Sequence, residues 1–302
     1  MPIHLPPLSR RRFLASSLTA GAGWLFARRA FAAEKPVDND CWALLSDPHI
    51  AADRAKISRK VNMADHLAAV SKEVAALPKR PAGAILNGDC AFLDGQAGDY
   101  EAVTDLLKPI RESGVPLHLT LGNHDDRDQF WKALTAMREL KRPVADHHVA
   151  MLPAGKANWF ILDSLEKVNA APGAIGAAQL KWLGDALDAN ADKPALVMVH
   201  HPLNRGAATG GIKDSPALLD LLHSRQQVKC FIYGHTHKWA VEKDDTGLHL
   251  VNLPPVAYPF KEGDPSGWVR VDLRGDGARF ELSALDKQHP AHGQVVELKW
   301  RA

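Results

Sequence analysis

The sequence predicts an α/β layered domain whose last third is mainly β structure. Over the first two thirds of the chain, short apolar runs of strand length alternate with longer segments of helical period. Beyond Trp239 the helical segments stop, while short apolar runs separated by turn residues continue. Such a pattern is typical of sheets covered by helices. With 302 residues, 46% of them hydrophobic, the chain is long enough to bury a large core.

The predicted elements follow one another in a regular order. Apolar runs bounded by turn residues predict strands at 41–45, 84–86, 117–121, 159–162, 195–199, 228–233, 248–253, 268–273 and 279–285. Segments of helical period predict helices at 61–77, 100–112, 129–140, 177–189 and 216–224. Pro78, Gly114 and Pro143 follow the first three of these helices and end them.

The first 32 residues resemble a twin-arginine export signal. The pair Arg10 and Arg11 precedes a mildly apolar run at 15–27, and Ala30-Phe31-Ala32 is a cleavage pattern of small residues. The alternative is a basic N-terminus with a short amphipathic helix. The resemblance divides the chain into a signal at 1–32, a polar linker at 33–40 and a domain at 41–302. It implies a periplasmic or secreted protein that is exported folded, with the twin-arginine translocation machinery as a partner.

Removal of this segment changes the charge balance. It holds five arginines and no acidic residue, so the remainder has 32 basic and 35 acidic residues, a formal net charge of −3. Because this remainder is slightly acidic and has no basic run, we expect no binding to nucleic acid. It also contains no stretch of ~20 apolar residues, so we expect no membrane span after signal removal.

The cysteines predict free thiols. Cys41, Cys90 and Cys230 are odd in number, have no metal-ligand spacing and lie in or next to apolar runs. We therefore expect three small buried residues and no required disulfide.

Polar residues follow five of the predicted strands. Asp47, Asp89, Asn123, His200 and His235 each lie one to three residues past the end of an apolar run. In open α/β sheets, ligands bind just beyond the carboxyl ends of the strands, so these side chains can meet at one rim. Their segments read Ser46-Asp47-Pro48-His49, Asn87-Gly88-Asp89, Gly122-Asn123-His124-Asp125, His200-His201-Pro202 and Gly234-His235-Thr236-His237. Each supplies a carboxylate, an imidazole or an amide oxygen, which divalent metals accept as ligands.

In this order the five segments resemble the calcineurin-like metallophosphoesterase superfamily. The signature D-x-H, G-D, G-N-H-D/E, H and G-H-x-H is present from residue 47 to residue 237. The resemblance implies a four-layer α-β-β-α sandwich of two mixed sheets flanked by helices. It also implies an enzyme that hydrolyses phosphoesters with two iron, manganese or zinc ions and a metal-bound hydroxide as nucleophile.

The resemblance also assigns roles to residues. The first metal would be held by Asp47, His49, Asp89 and His237, and the second by Asp89, Asn123, His200 and His235. His124 would protonate the leaving group or bind a phosphate oxygen, and the alternative is a buried histidine that orients Asn123. Many members carry an acid three residues after the bridging aspartate, where this chain has Phe92, so the orientation of His124 is open.

The sequence also offers candidate residues for substrate contact and a candidate class of substrate. His201 and Arg205 are candidates for substrate contact, with a supporting or surface role as the alternative. The segments 162–164 and 176–183 resemble the branch with bacterial cyclic-nucleotide and glycerophosphodiester phosphodiesterases, which favours small phosphodiesters as substrates. Hydrolysis of phosphomonoesters, nucleotides or pyrophosphate and a non-catalytic, metal-stabilised binding protein are the alternatives. Loops around 206–214 and 261–267 are expected to set specificity.

Overall fold

The computed structural model of the chain describes residues 3–5, 35–133, 143–206 and 210–302. Its strands are β1 (Ile3–Leu5), β2 (Val37–Ser46), β3 (Ile57–Ser58), β4 (Val61–Asn62), β5 (Arg80–Asn87), β6 (Leu117–Leu119), β7 (Ala150–Pro153), β8 (Asn158–Ile161), β9 (Ala195–Met198), β10 (Val228–Tyr233), β11 (Ala240–Lys243), β12 (His249–Asn252), β13 (Gly267–Leu273), β14 (Gly277–Ala284) and β15 (Val295–Lys299). Its helices are α1 (Met63–Ala76), α2 (Ala97–Leu106), α3 (Lys108–Glu112), α4 (Arg127–Ala133), α5 (Gly176–Asp188) and α6 (Ser215–His223).

The strands form two large mixed sheets and one hairpin. The first sheet has the order β1-β6-β5-β2-β13-β14-β15 and the second the order β11-β12-β10-β9-β8-β7, while β3 and β4 pair with each other. In the first sheet β2, β5 and β6 are parallel neighbours, and in the second β8, β9, β10 and β12 are parallel neighbours. Each sheet therefore has a block of parallel strands whose carboxyl ends lie at one edge.

Three layers of apolar side chains hold the sheets and helices together. Alternate residues of β2 enter different layers, because successive side chains of a strand point to opposite faces. Ala43 and Leu45 pack with the helices on one side, and Trp42 and Leu44 pack against the other sheet. The layer between the sheets contains Trp42, Leu44, Trp159, Met198, Ile232, Val251 and Phe280, and the outer layer on the second sheet contains Phe160, Val197, Phe231, Leu183 and Leu218. The order helix, sheet, sheet, helix confirms the predicted four-layer sandwich.

Most predicted elements are present, with differences that have local causes. The predicted helix at 100–112 is divided at Leu107 into α2 and α3, because Pro109 lacks the backbone N–H that would continue the first helix. Strand β2, which was predicted at 41–45, begins at Val37, inside the predicted linker, where Val37 and Asp38 pair with β5. Strands β7, β11 and β15 were not predicted, since each is a short strand that pairs with only one neighbour, at a sheet edge. Strands β3 and β4 were not predicted either, and β4 occupies the first two residues of the predicted helix at 61–77.

Some sequence predictions fall outside the described residues. These are the continuation of α4 into 134–140 and all of the predicted export signal except 3–5. Residues 3–5 form β1, which pairs antiparallel with β6. Within the described ranges, no helix is both long and apolar enough to cross a membrane.

Candidate metal centre

The carboxyl ends of five strands from both sheets converge on one cluster of polar side chains. Asp47, Asp89 and Asn123 follow β2, β5 and β6, which are neighbours in the first sheet. His200 and His235 follow β9 and β10, which are neighbours in the second sheet. The two parallel blocks thus supply the two halves of the site, as the rule for open α/β sheets predicts.

The backbone is strained at five of the seven residues that the motif assigns to metals. Asp47, His49, Asp89, His235 and His237 have φ values of 51°, 48°, 48°, 66° and 52°. This left-handed region is unfavourable for residues with a Cβ and persists only where the surroundings impose it. Part of that constraint is visible, because the backbone N–H of His235 donates to Asp47 Oδ1 at 3.1 Å. Backbone strain of this kind is typical of functional sites, where the surrounding structure holds the side chains in place.

The first half of the cluster gathers Asp47, His49 and His237. Their ligand atoms lie within 4.8 Å of one another. His49 Nε2 is 2.9 Å from His237 Nε2, and His237 Nε2 is 3.5 Å from Asp47 Oδ1. Two imidazole nitrogens and a carboxylate oxygen therefore point at one small volume.

The second half gathers Asp89, His200 and His235, again within 4.8 Å. His200 Nε2 lies 3.2 Å from Asp89 Oδ2. The same Oδ2 atom lies 3.6 Å from His49 Nε2 of the first half. The carboxylate of Asp89 is thus shared by both halves, which is the place the motif gives to a bridging ligand.

Backbone carbonyls fix the orientation of three imidazoles. Nδ1 of His237 lies 2.5 Å from the Tyr258 carbonyl oxygen, and Nδ1 of His200 lies 3.0 Å from that of Asn87. Nδ1 of His49 faces the carbonyl of Phe92 at 3.4 Å. An Nδ1–H that donates to a carbonyl leaves Nε2 as the ligand atom, which is the usual outer-sphere arrangement of metal-binding histidines.

The protonation of the cluster suits metal binding. Burial lowers the pKa of His49 and of His235 to about 4 and that of His237 to about 2, so these imidazoles are neutral at neutral pH. Burial raises the pKa of Asp47 to about 6, which leaves it mostly ionised at neutral pH. Burial also acts against a charge on His200, but Asp89 and Asp47 outweigh it and raise its pKa to about 10. At neutral pH His200 is therefore protonated, and it must release this proton before its Nε2 can bind a metal.

The donor set fits two cations. It offers carboxylate, imidazole and amide ligands, which borderline divalent metals accept. The Oδ1 atom of Asn123 is buried and has no hydrogen-bond partner within the described ranges. A buried acceptor without a partner is costly, and a bound cation would satisfy it. The residues of the site therefore match the two-metal centre that the sequence predicts.

His124 is held by one side chain and by one backbone carbonyl. Its N–H donates to Asp89 Oδ1 at 2.9 Å, and its Nδ1 lies 2.7 Å from the carbonyl oxygen of Leu93. A ring nitrogen of His124 also lies within 4.8 Å of the ligand atoms of His49 and Asp89. The Leu93 carbonyl thus orients the ring where many members of the family use an acid at the position of Phe92.

His201 lies behind the cluster. It is fully buried, its Nδ1 is 2.6 Å from Ser164 Oγ, and its ring packs against His200 and His235 at centroid distances of 5.1 and 4.7 Å. A ring without exposure cannot touch a substrate in this arrangement. The structure therefore favours the supporting role that was the alternative to substrate contact.

Arg205 lies at the surface, where it pairs with Glu242 at 2.7 Å. Its contact with substrate stays a prediction. The predicted specificity loop that follows it is described at Gly206 and from Gly210 onward. A side-chain carbon on Gly210 would be 3.2 Å from His235 Nε2, so this loop borders the cluster.

Two residues that hold the site in place, Asp125 and Tyr258, were not predicted from the sequence. Asp125 accepts hydrogen bonds from the backbone N–H groups of Cys90, Ala91 and Gly122 at 3.1, 3.0 and 2.8 Å, and so joins two ligand turns. Its place in the G-N-H-D motif was the available signal. Tyr258 orients His237 through its carbonyl, and no pattern in the sequence points to that contact.

Residues 43–239 match the calcineurin-like phosphoesterase family. The chain belongs to this family. It is therefore a phosphoric ester hydrolase with a two-metal centre, and the family's ordered ligand motifs are those that meet in the cluster. The predicted superfamily, enzyme class and pair of metal ions are confirmed.

Relatives of this phosphoesterase span most of its length. It is 27% identical to a probable cyclic nucleotide phosphodiesterase of Synechococcus over 252 residues, which cover 81% of this chain and 92% of the relative. It is 28% identical to the 3′,5′-cyclic adenosine monophosphate phosphodiesterase CpdA of Pseudomonas aeruginosa, with 78% of this chain and 82% of the relative covered. A dimetal phosphatase from Danio rerio has a TM-score of 0.66 at 17% identity, covering 86% of this phosphoesterase and 99% of that chain, which confirms the fold.

Proposed function

We propose that this phosphoesterase hydrolyses small phosphodiesters at the cluster around Asp89. One observation carries the proposal. Oδ2 of Asp89 lies 3.2 Å from His200 Nε2 and 3.6 Å from His49 Nε2, so one carboxylate oxygen stands between two sets of metal ligands. The family and the ligand geometry support the hydrolysis, and the substrate class rests on the relatives.

The residues that would hold the cations are those of the motif. The first set is Asp47, His49, Asp89 and His237, and the second is Asp89, Asn123, His200 and His235. When bound, two cations supply positive charge for the phosphoryl oxygens and lower the pKa of a water enough for attack at neutral pH.

The chain's own groups prepare this site. The backbone N–H of His124 occupies Asp89 Oδ1, which leaves Oδ2 to face the two imidazoles. His49, His235 and His237 present neutral nitrogens because burial keeps their pKa values low. The ring of His124, which is held by Leu93, is placed to give a proton to the departing ester oxygen.

The names of the relatives favour diesters over monoesters. Two cyclic-nucleotide phosphodiesterases cover about four fifths of this chain. A glycerophosphodiester phosphodiesterase, GpdQ of Enterobacter lignolyticus, is 27% identical over 161 residues. Both kinds act on a phosphorus with two ester bonds, which supports a small diester as the substrate here.

Kinetics with a panel of phosphate esters tests the proposal. The panel consists of bis-p-nitrophenyl phosphate, cyclic nucleotides, glycerophosphodiesters, phosphomonoesters and a nucleotide diphosphate ester. We expect the highest kcat/KM for a diester, and no turnover in the Asp89→Ala variant. A preference for monoesters or for the diphosphate would replace diester hydrolysis by one of the alternative activities. Full activity of Asp89→Ala would contradict the proposed site.

We propose further that the chain is exported folded by the twin-arginine route to the periplasm or the exterior. The order of Arg10, Arg11, apolar run and cleavage pattern supports it. Replacement of both arginines by lysine should keep the phosphoesterase activity in the cytoplasmic fraction. Unchanged release of activity from this variant would argue against the route.

A further inference from the structure

Two aromatic side chains, Tyr258 and Phe260, form a surface beside the metal centre that the catalytic motif does not include. The ring of Phe260 stacks on the imidazole of His237, with centroids 3.9 Å apart and 8° between the planes. The ring of Tyr258 stacks on His49, with centroids 5.6 Å apart and 18° between the planes. Both aromatic rings therefore contact ligands of the same predicted metal. We call Tyr258 and Phe260 the aromatic surface.

A hairpin brings a cation to the aromatic surface. Strands β3 and β4 are joined by Arg59 and Lys60, whose φ values of 47° and 67° are those of a tight two-residue turn. The Arg59 guanidinium lies 5.0 Å from the centroid of Phe260 and 5.6 Å from that of Tyr258. The turn of the hairpin thus lies against the aromatic surface.

Phe260 and Arg59 both keep exposed surface that contacts within the protein do not cover. The side chain of Phe260 is 53% exposed, although it lies next to a buried histidine. Arg59 is exposed, and within the described ranges it makes no ion pair with a carboxylate. Exposure of an aromatic ring is unfavourable in water, and here the exposed ring is stacked on a predicted metal ligand, His237.

The aromatic ring of Phe260 and the guanidinium of Arg59 both favour a ligand with a planar group. Aromatic side chains and guanidinium planes both stack on nucleobases, and a stack of this kind tolerates any base. An aliphatic ester group, such as glycerol, offers no flat face and would gain little from either residue. A phosphorus atom at the metal centre would place the organic part of the same molecule within reach of the aromatic surface.

We propose that Phe260 and Arg59 bind a planar base carried by the substrate, and that the substrate is therefore a nucleotide-type phosphoester. This inference rests on the proposed function, since the phosphoryl group must occupy the metal centre for the base to lie here. It adds two specificity-determining residues to the site, and neither belongs to the predicted ligand set.

Two product-like ligands that differ only in the base test the proposal. Adenosine monophosphate and ribose 5-phosphate share the phosphate and the sugar, so the ratio of their affinities reports on the base alone. Calorimetric titration of the purified, metal-loaded protein should give about tenfold tighter binding of adenosine monophosphate, the effect of one base–aromatic stack. The Phe260→Ala variant should bind the two ligands with nearly equal affinity, and Phe260→Tyr should restore the difference.

Arg59 is tested with the same pair of ligands. If its guanidinium stacks on the base, Arg59→Gln weakens the binding of adenosine monophosphate and leaves that of ribose 5-phosphate unchanged. Equal weakening of both ligands would show that Arg59 binds the phosphate and would overturn its place in the base site. Val295→Ala is the control, because Val295 is an exposed residue of β15, 41% accessible, and should leave both affinities unchanged.

The outcomes separate this inference from the proposed function. A wild-type protein without preference for adenosine monophosphate, or a Phe260→Ala variant that keeps the preference, overturns the base site. Metal content measured on the same samples shows whether the loss of the Phe260 ring has disturbed His237. Base-dependent binding in a protein that cleaves no diester would contradict the proposed function and support the base site. Diester cleavage without base-dependent binding would support the proposed function and contradict the base site.

Discussion

Nδ1 of His124 lies 2.7 Å from the backbone carbonyl oxygen of Leu93. A carbonyl oxygen only accepts hydrogen bonds, so it holds the Nδ1 proton in place and leaves the other ring nitrogen to exchange protons. A carboxylate at the position of Phe92 would orient the ring in a comparable way. The backbone therefore supplies an orientation that the sequence pattern left open.

The role of His124 in proton transfer predicts a loss that depends on the leaving group. His124→Ala should lower kcat on a dialkyl phosphodiester by about 10²–10⁴-fold, the usual contribution of general acid catalysis. The loss should be much smaller on bis-p-nitrophenyl phosphate, because p-nitrophenolate departs without a proton. Equal losses on both substrates, or a loss of bound metal, would show instead that His124 supports the ligand turn.

Gly88 predicts a steric requirement of the site. Its φ is +74°, and a Cβ there would lie 2.6 Å from His200 Nδ1 and 2.8 Å from the backbone nitrogen of Gly122. Gly88→Ala should therefore displace His200 and abolish both metal binding and activity. Gly293→Ala is the matched control, since Gly293 also has a φ of +74° and an added Cβ there would have nothing within 4 Å. It should cost only about 1–2 kcal/mol of backbone strain and keep the metals. Activity and metal content measured on both variants check this prediction.

The pair of Arg127 and Asp163 predicts a large effect on stability. Asp163 is fully buried and accepts two hydrogen bonds from Arg127, at 2.8 and 3.0 Å. Arg127→Gln leaves a buried carboxylate without its cation and should lower the free energy of unfolding by about 2–4 kcal/mol. Urea unfolding of the native protein and the variant measures this loss of stability. Arg274→Gln breaks an exposed pair with Glu297 and should cost less than about 1 kcal/mol. A similar loss of unfolding free energy in the two variants would contradict the role of Arg127 as the cation that stabilises buried Asp163.

The cysteines predict no reaction with thiol reagents in the folded protein. Cys41, Cys90 and Cys230 are free and buried, and burial raises the pKa of the Cys41 thiol to about 12. Iodoacetamide should modify none of them under native conditions and all three after unfolding, as read from the mass of the protein. Rapid modification of the native protein would mean that these segments open. A failure to modify all three after unfolding without reductant would reveal a disulfide.

Periodicity and motif order predicted the elements that carry the site. The strand at 228–233 matches β10 residue for residue, and the ligands Asp47, Asp89, His200 and His235 follow strands as expected. Burial on both faces makes such strands continuous apolar runs, which are visible in one sequence. The candidate metal ligands could be named because their spacing and order resemble the signature of the family.

Features set by tertiary contacts could not be predicted from the sequence. The carbonyls of Leu93 and Tyr258 orient His124 and His237, but a backbone carbonyl has no residue type. The burial of His201 depends on Ser164, which comes from a different strand end. The aromatic surface lies in a loop after β12, where an exposed Phe260 has no periodic pattern around it.

The proposed metal centre depends most on the carboxylate of Asp89, which faces His200 on one side and His49 on the other. Metal analysis of the purified protein by mass spectrometry, for the native sequence and for Asp89→Ala, tests this arrangement directly. We expect two metal ions per chain in the native protein and fewer than two in the variant. An unchanged ratio of metal to protein in Asp89→Ala, or a native protein that holds at most one ion, would contradict a centre built around a shared carboxylate.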